Sequence, residues 1–90
     1  MTRITFTSKF EKQLERVPEN IRIKAHAWIW SVKEAGLRVT QKSPGLHDEP
    51  LKGSRTGQRS VRLNRSYRLI YRMIEKQIHI ELLEVHKHEY

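Results

Sequence analysis

Between residues 52 and 74 the sequence KGSRTGQRSVRLNRSYRLIYRMI carries seven cations, Lys52, Arg55, Arg59, Arg62, Arg65, Arg68 and Arg72, and no acid. With no local carboxylate to neutralise it, such a run points to an anionic partner. Arginine suits phosphate well, because its planar and permanently charged fork donates two parallel hydrogen bonds to neighbouring oxygens. The chain ends in HKHEY, which places His86, Lys87, His88 and Tyr90 within five residues. Histidine gains and loses a proton near neutral pH, and an aromatic ring can stack on a base. Taken singly, each of these residues also has an ordinary structural explanation. One arginine can simply solvate a sheet, Glu49 before Pro50 can be a surface charge in a polar loop, and His86 can be a solvated strand end. His86 and His88 could bind a metal with a carboxylate, yet no other histidine is placed to complete the set. His79, between Ile78 and Ile80, reads as a half-exposed strand residue, His26 lies in a helix and His47 in a loop.

Whether the cations act together depends on the elements that carry them. Spacings of three and four suit one face of a helix, but the residue types oppose it. Gly53 and Gly57 interrupt the run, Ser60 to Leu63 and Tyr67 to Tyr71 are rich in strand formers, and Asn64-Arg65-Ser66 has turn chemistry. A β-hairpin follows, and alternation along it puts Arg62 with Ser60 and Asn64, opposite Val61 and Leu63. On the next strand Arg68, Ile70 and Arg72 share one face, while Tyr67, Leu69, Tyr71 and Met73 take the core.

Upstream, residues 2 to 6 alternate as a short strand. Ser8-x-x-Glu11 reads as a capping box before a helix bearing Phe10, Leu14 and Val17. Pro18 closes that helix and opens a second one, which runs to a stop at Gly36. On the second helix Ile21, Ala25, Trp28, Ile29 and Val32 form an apolar stripe wide enough to cover a sheet. Trp28 belongs to the core, whereas Trp30 falls on another face, exposed or covered by a partner. Residues 37 to 57 read as a connection with a short strand or turn near Leu46. Strands at 58 to 64, 67 to 74 and 77 to 86 complete an antiparallel meander. The expected fold is α+β, with a short N-terminal strand and a two-helix hairpin packed on a three- to four-stranded, mainly antiparallel sheet.

Ninety residues imply a single domain spanning 1–90 with a modest core. The absence of cysteine excludes disulfides, thiolate metal sites and a cysteine nucleophile, and suits a reducing cytoplasm. Charges interrupt every apolar run, so neither a signal peptide nor a spanning helix is expected. A net charge of +8 and a pI near 10.2 point to nucleic acid rather than to a membrane, since the basic stretch lacks the broad apolar face of a membrane-binding helix.

The order of these elements, together with Glu49-Pro50-Leu51-Lys52, Gly57, Ser60-x-Arg62-x-Asn64, Arg68-Leu69-x-Tyr71 and a C-terminal strand ending in histidine, resembles the RelE/ParE superfamily of bacterial toxins from toxin–antitoxin pairs. It is most similar to the YoeB branch, whose members cut messenger RNA in the ribosomal A site. Lys87 stands where YoeB-like chains carry a tyrosine after the histidine, and Gln58 replaces an aromatic residue after the glycine. The YafQ branch, also ribosome-dependent, shares Pro50-Leu51-Lys52-Gly53-Ser54 and a tail beyond the last histidine, but has histidines at the positions of Glu49 and Arg62.

The resemblance implies a RelE-like fold and a catalytic set of Glu49, Arg62 and His86, with Lys52, Arg55, Arg59, Arg68, Lys87 and Tyr90 available to bind RNA. It implies an endoribonuclease that uses neither a metal nor another cofactor. Glu49 would take the proton of the ribose 2′-hydroxyl, His86 would protonate the departing 5′-oxygen, and Arg62, with Arg68 or Lys52, would hold the phosphate. The implied partners are a cognate antitoxin in a hetero-oligomer, the ribosome with its rRNA, and mRNA; the implied location is the cytoplasm. The alternative within the same fold is a ParE-like inhibitor that binds DNA gyrase without catalysis.

Overall fold

The computed structural model describes residues 2–76 and 78–87. Strand β1 (Arg3–Phe6) leads into helix α1 (Ser8–Arg16), followed by α2 (Glu19–Ala35) and a short α3 (Leu37–Gln41). Then come β2 (Glu49–Pro50), a 3-10 turn (Gly53–Arg55), β3 (Gln58–Arg62), β4 (Tyr67–Glu75) and β5 (His79–Lys87). The strands form one sheet in the order β1-β5-β4-β3-β2, with β1 parallel to β5 and every other pair antiparallel. The α+β class, the helical hairpin and the meander agree with the expectation from sequence. The sheet has five strands rather than three or four, because the two-residue β2 pairs with β3.

A third helix occupies part of the segment expected to be a plain connection. At Gly36, φ 91° and ψ 159° lie in a region that is essentially glycine-only, so α2 ends there and the chain is redirected. Leu37 and Thr40, three residues apart, are then both buried. A single turn of helix is too short to show a period in sequence.

The apolar stripe of α2 packs as expected. Ile21, Ala25 and Val32 are fully buried, Trp28 is tilted against Tyr71 with ring centroids 5.1 Å apart, and Trp30 is 66% exposed. Phe10 of α1 joins Val61, Leu69, Ile80, Leu82 and Val85 of the sheet in the same core. Alternation along the hairpin is also as expected, with Val61 opposite Leu69 on the core face and Arg62 opposite Arg68 on the other.

The cap of α1 sits one residue earlier than the Ser8 box implies. Thr7 Oγ1 accepts from the Phe10 amide at 3.0 Å and donates to the Leu83 carbonyl at 2.9 Å, while the Thr7 amide donates to the Leu82 carbonyl at 3.0 Å. Thr7 therefore ties helix to strand with one side chain, which a cap at Ser8 would not do.

On the core side, a polar chain fixes the approach to β2. Gln41 Nε2 donates to the Tyr71 hydroxyl at 2.8 Å, and that hydroxyl donates to Asp48 Oδ2 at 2.6 Å. Arg59 Nε pairs with Asp48 Oδ1 at 2.6 Å, and the Asp48 side chain is wholly inaccessible. Burial, reinforced by the carboxylate, pushes the Tyr71 phenol far above its ordinary range, so the hydroxyl remains a donor.

Two substitutions should measure these ties by chemical denaturation. Thr7→Val keeps the shape but removes the cap and the bond to Leu83, and should lower stability by about 1–2 kcal/mol. Tyr71→Phe leaves the buried Asp48 one donor short and should cost about 1–3 kcal/mol.

Candidate active site

Directly opposed residues of an antiparallel pair share a face, so the register defines the surface away from the helices. One cross-strand row is Arg62 of β3, Arg68 of β4 and His86 of β5. The row beside it is Glu49 of β2, Ser60, Ile70 and Glu84. The structure thus places Glu49, Arg62, Arg68 and His86 on the face turned from the core, one from each of four adjacent strands, with Ser60 and Ile70 buried between them. Three strand steps of about 4.8 Å separate β2 from β5, roughly 14 Å of backbone for two side chains and a ligand to span.

His86 and Glu84 reach this face because β5 changes phase. Ile70 pairs with Glu84 but Tyr71 pairs with Leu82, so Leu83 is the extra residue of a β-bulge. Before the bulge Ile80 and Leu82 point to the core; after it Val85 does, and Glu84 and His86 point outward. The bulged edge is satisfied from α1, where Thr7 serves Leu82 and Leu83 and Gln13 Oε1 accepts from the Val85 amide at 2.9 Å.

Glu84 is the residue that sequence reasoning missed. Its side chain, 13% exposed, contacts the Arg55 guanidinium, Lys9 Nζ at 3.5 Å and His86 Nε2 at 3.1 Å. Burial favours the neutral acid, but the Arg55 hydrogen bond and charge, with Lys9 and His86, outweigh it and hold this carboxyl below its usual range. The available signal was the Glu84-x-His86 spacing, which puts two side chains on one face of a strand.

The seven cations of the basic stretch divide into two groups. Arg55 is paired with Glu84, Arg59 with Asp48, and Arg72 with Glu81 at 2.9 Å. These acids lie outside the stretch, so the expectation that its charges go unneutralised is corrected for three of the seven. Arg59, proposed to bind RNA, points to the helix side opposite Tyr71, apart from the open face. Arg55 reaches back over that face to Glu84. Arg62 lacks an ion pair among the described residues, and its Nε is buried without a hydrogen-bond partner, as is Trp28 Nε1. Arg68 donates to the Asn64 and Tyr67 carbonyls at 2.9 and 3.2 Å. Lys52, Glu49 and Lys87 are exposed. Tyr90 and His88 lie outside the described residues. His79 bonds Thr5 Oγ1 at 2.9 Å through Nε2, as an ordinary strand residue.

A small α+β domain with a helical hairpin on a five-stranded, mainly antiparallel sheet has the RelE-like fold. A family model described as ParE toxin of type II toxin-antitoxin system, parDE, matches residues 4–89, and the chain belongs to this family. No curated protein matches it. Among solved structures, the YoeB/ParE toxin from Agrobacterium tumefaciens superposes with a TM-score of 0.76 at 22% identity, covering 98% of this chain and 100% of the other. YafQ, solved in the DinJ-YafQ complex from E. coli, gives a TM-score of 0.73 at 18% identity, covering 98% and 94%. The toxin of the YoeB-YefM complex from Staphylococcus aureus gives 0.71 at 24% identity, covering 100% and 99%. At these identities the likeness is one of fold.

The Glu84 cluster predicts a pH effect on stability. A carboxyl whose folded pKa is depressed contributes stability at neutral pH and loses it as pH falls below its ordinary value of 4.5. Glu84→Gln should therefore be less stable than the parent near neutral pH, and the difference should shrink on acidification through that window. A stability difference independent of pH would show that the charge is not what matters.

Proposed function

We propose that the chain is the toxin of a type II pair that cleaves ribosome-bound mRNA by metal-free acid/base catalysis. The observation that carries this reading is the order across the open face: a carboxylate on β2, arginines on β3 and β4, and an imidazole on β5. Displacement at an RNA phosphate needs a base on the side of the attacking 2′-oxygen, an acid on the side of the leaving 5′-oxygen, and cations between them. Glu49 takes the 2′-hydroxyl proton, and the 2′-oxygen bonds to phosphorus. The bond to the 5′-oxygen breaks, and His86 supplies the proton that oxygen needs. Arg62, which has no ion pair among the described residues, and Arg68 hold the non-bridging oxygens, with Lys52 on the exposed rim. The products are a 2′,3′-cyclic phosphate and a free 5′-hydroxyl.

The antitoxin partner is supported by the complexes in which YoeB and YafQ were solved. An acidic or amphipathic antitoxin segment would cover the open face, matching its charge and blocking Arg62 and His86 together. The ribosome is supported by the net charge of +8, which suits a dense phosphate surface and requires binding to weaken steeply with salt. The second reading, within the same family, is a toxin that binds DNA gyrase without catalysis.

Single-turnover cleavage on programmed ribosomes separates the two. Arg62→Ala, His86→Gln and Glu49→Gln should fold and still bind the antitoxin, yet cut at least about a hundredfold more slowly, the low end for loss of a positioned acid or base. Cyclic phosphate ends should appear on mRNA after brief induction in bacteria. Full toxicity of all three folded variants, with gyrase inhibited and mRNA intact, would replace this reading with the gyrase one.

A further inference from the structure

We propose that Glu84 is a positioning residue for His86, one that orients the imidazole and keeps the transferable proton on its Nε2. The inference rests on the assignment of His86 as the general acid. Glu84 and His86 stand two residues apart on the same face of β5, past the bulge, with Oε1 of Glu84 3.1 Å from His86 Nε2. The other ring nitrogen, Nδ1, lies 3.0 Å from the Lys87 carbonyl oxygen. Both neighbours of the ring are acceptors, so a ring with a proton on each nitrogen satisfies both.

Among the described residues, the charges around the ring come from several elements. Arg68 of β4 stands directly opposite and disfavours a second cation, and Lys87 follows in sequence. Lys9 of α1 and Arg55 of the 53–55 turn are gathered on the same Glu84 carboxylate. Among the described residues, Glu84 is the carboxylate in direct contact with His86. Arg55 and Lys9 have a separate effect. By stabilising the carboxylate they make Glu84 a poor proton acceptor, so it holds the Nε2–H without taking the proton. As negative charge develops on the departing 5′-oxygen, that oxygen displaces Glu84 Oε1 as the acceptor of the Nε2–H; the proton then moves from Nε2 to the oxygen, and the ring is left neutral with its remaining proton on Nδ1.

The test is a double-mutant cycle in single-turnover cleavage near neutral pH, joined to ¹⁵N NMR of the His86 ring in the free chain. Glu84→Gln keeps the size of the side chain and removes the charge. It should slow cleavage about tenfold, the scale of one charge-assisted hydrogen bond, without weakening ribosome binding. In a His86→Gln background the same change should cost nothing further, since its effect passes through the histidine. The NMR signal should show a smaller fraction of doubly protonated ring in Glu84→Gln than in the parent at the same pH. Glu81→Gln, which removes an equal charge from the Arg72 pair, should change neither readout. Unchanged cleavage, additive losses, or an unchanged ring in Glu84→Gln would each overturn the proposal. If His86→Gln cut as fast as the parent, the acid assignment would fail instead, and the ring spectra would still report whether Glu84 governs the protonation of His86.

Discussion

Alternation along β5 is broken once, at Leu83, and the open face depends on that break. In an uninterrupted strand Ile80, Leu82 and Glu84 would point the same way, which would put a carboxylate into the apolar core and Leu83 and Val85 into solvent. The extra residue lets Leu82 and Val85 both face the core while Glu84 and His86 face outward. A bulge leaves backbone groups without ladder partners, and these are costly unless they are bonded elsewhere. Thr7 and Gln13 of α1 supply the bonds to Leu82, Leu83 and Val85. The same helix sends Lys9 to Glu84. The first helix thus acts as a brace for the phase of the last strand as well as a part of the core.

The electrostatics of the face follow from which cations have acids within the fold. Arg55, Arg59 and Arg72 are each held by an acid distant in sequence, and what they contribute is order. Lys52, Arg62, Arg65 and Arg68 have no such acid among the described residues. Two of these four, Arg62 and Arg68, stand in the row with His86. Half of the hairpin's charge that has no such acid therefore stands beside the imidazole.

The hairpin was legible in the sequence because its pattern is strict: Val61, Leu63, Leu69 and Tyr71 alternate with Ser60, Arg62, Arg68 and Ile70 without interruption, so face and register followed from period two. The stripe of α2 was legible for the same reason at a helical period. What escaped depends on contacts between distant residues. Thr7 and Ser8 are both good caps, and only the Leu83 carbonyl, seventy-six residues away from Thr7, decides between them. The Leu82-Leu83 doublet is compatible with a bulge or with a register slip, and the choice is made by Tyr71 across the ladder. The pairing of Arg55 with Glu84 spans twenty-nine residues, so a local count of charge could not anticipate it. Glu84 was passed over because two of its contacts, Arg55 of the 53–55 turn and Lys9 of α1, come from elements distant in sequence.

The position of Glu49 shows how the buried side of the sheet governs the open one. A strand of two residues has too few ladder bonds to hold its own orientation, yet Glu49 pairs with Ser60 in register. The orientation is set by its neighbour. Asp48 points inward, where the Tyr71 hydroxyl and Arg59 hold both of its oxygens in a site closed to solvent. Removing Arg59 would leave a charge uncompensated in the interior, a penalty much larger than the net value of the bonds themselves, and removing the Tyr71 hydroxyl would leave one carboxylate oxygen short of a donor. With Asp48 fixed inward, alternation sends Glu49 outward. The ion pair on the core side therefore determines where a solvent-exposed carboxylate stands, and the face opposite the helices inherits its geometry from bonds made beneath it.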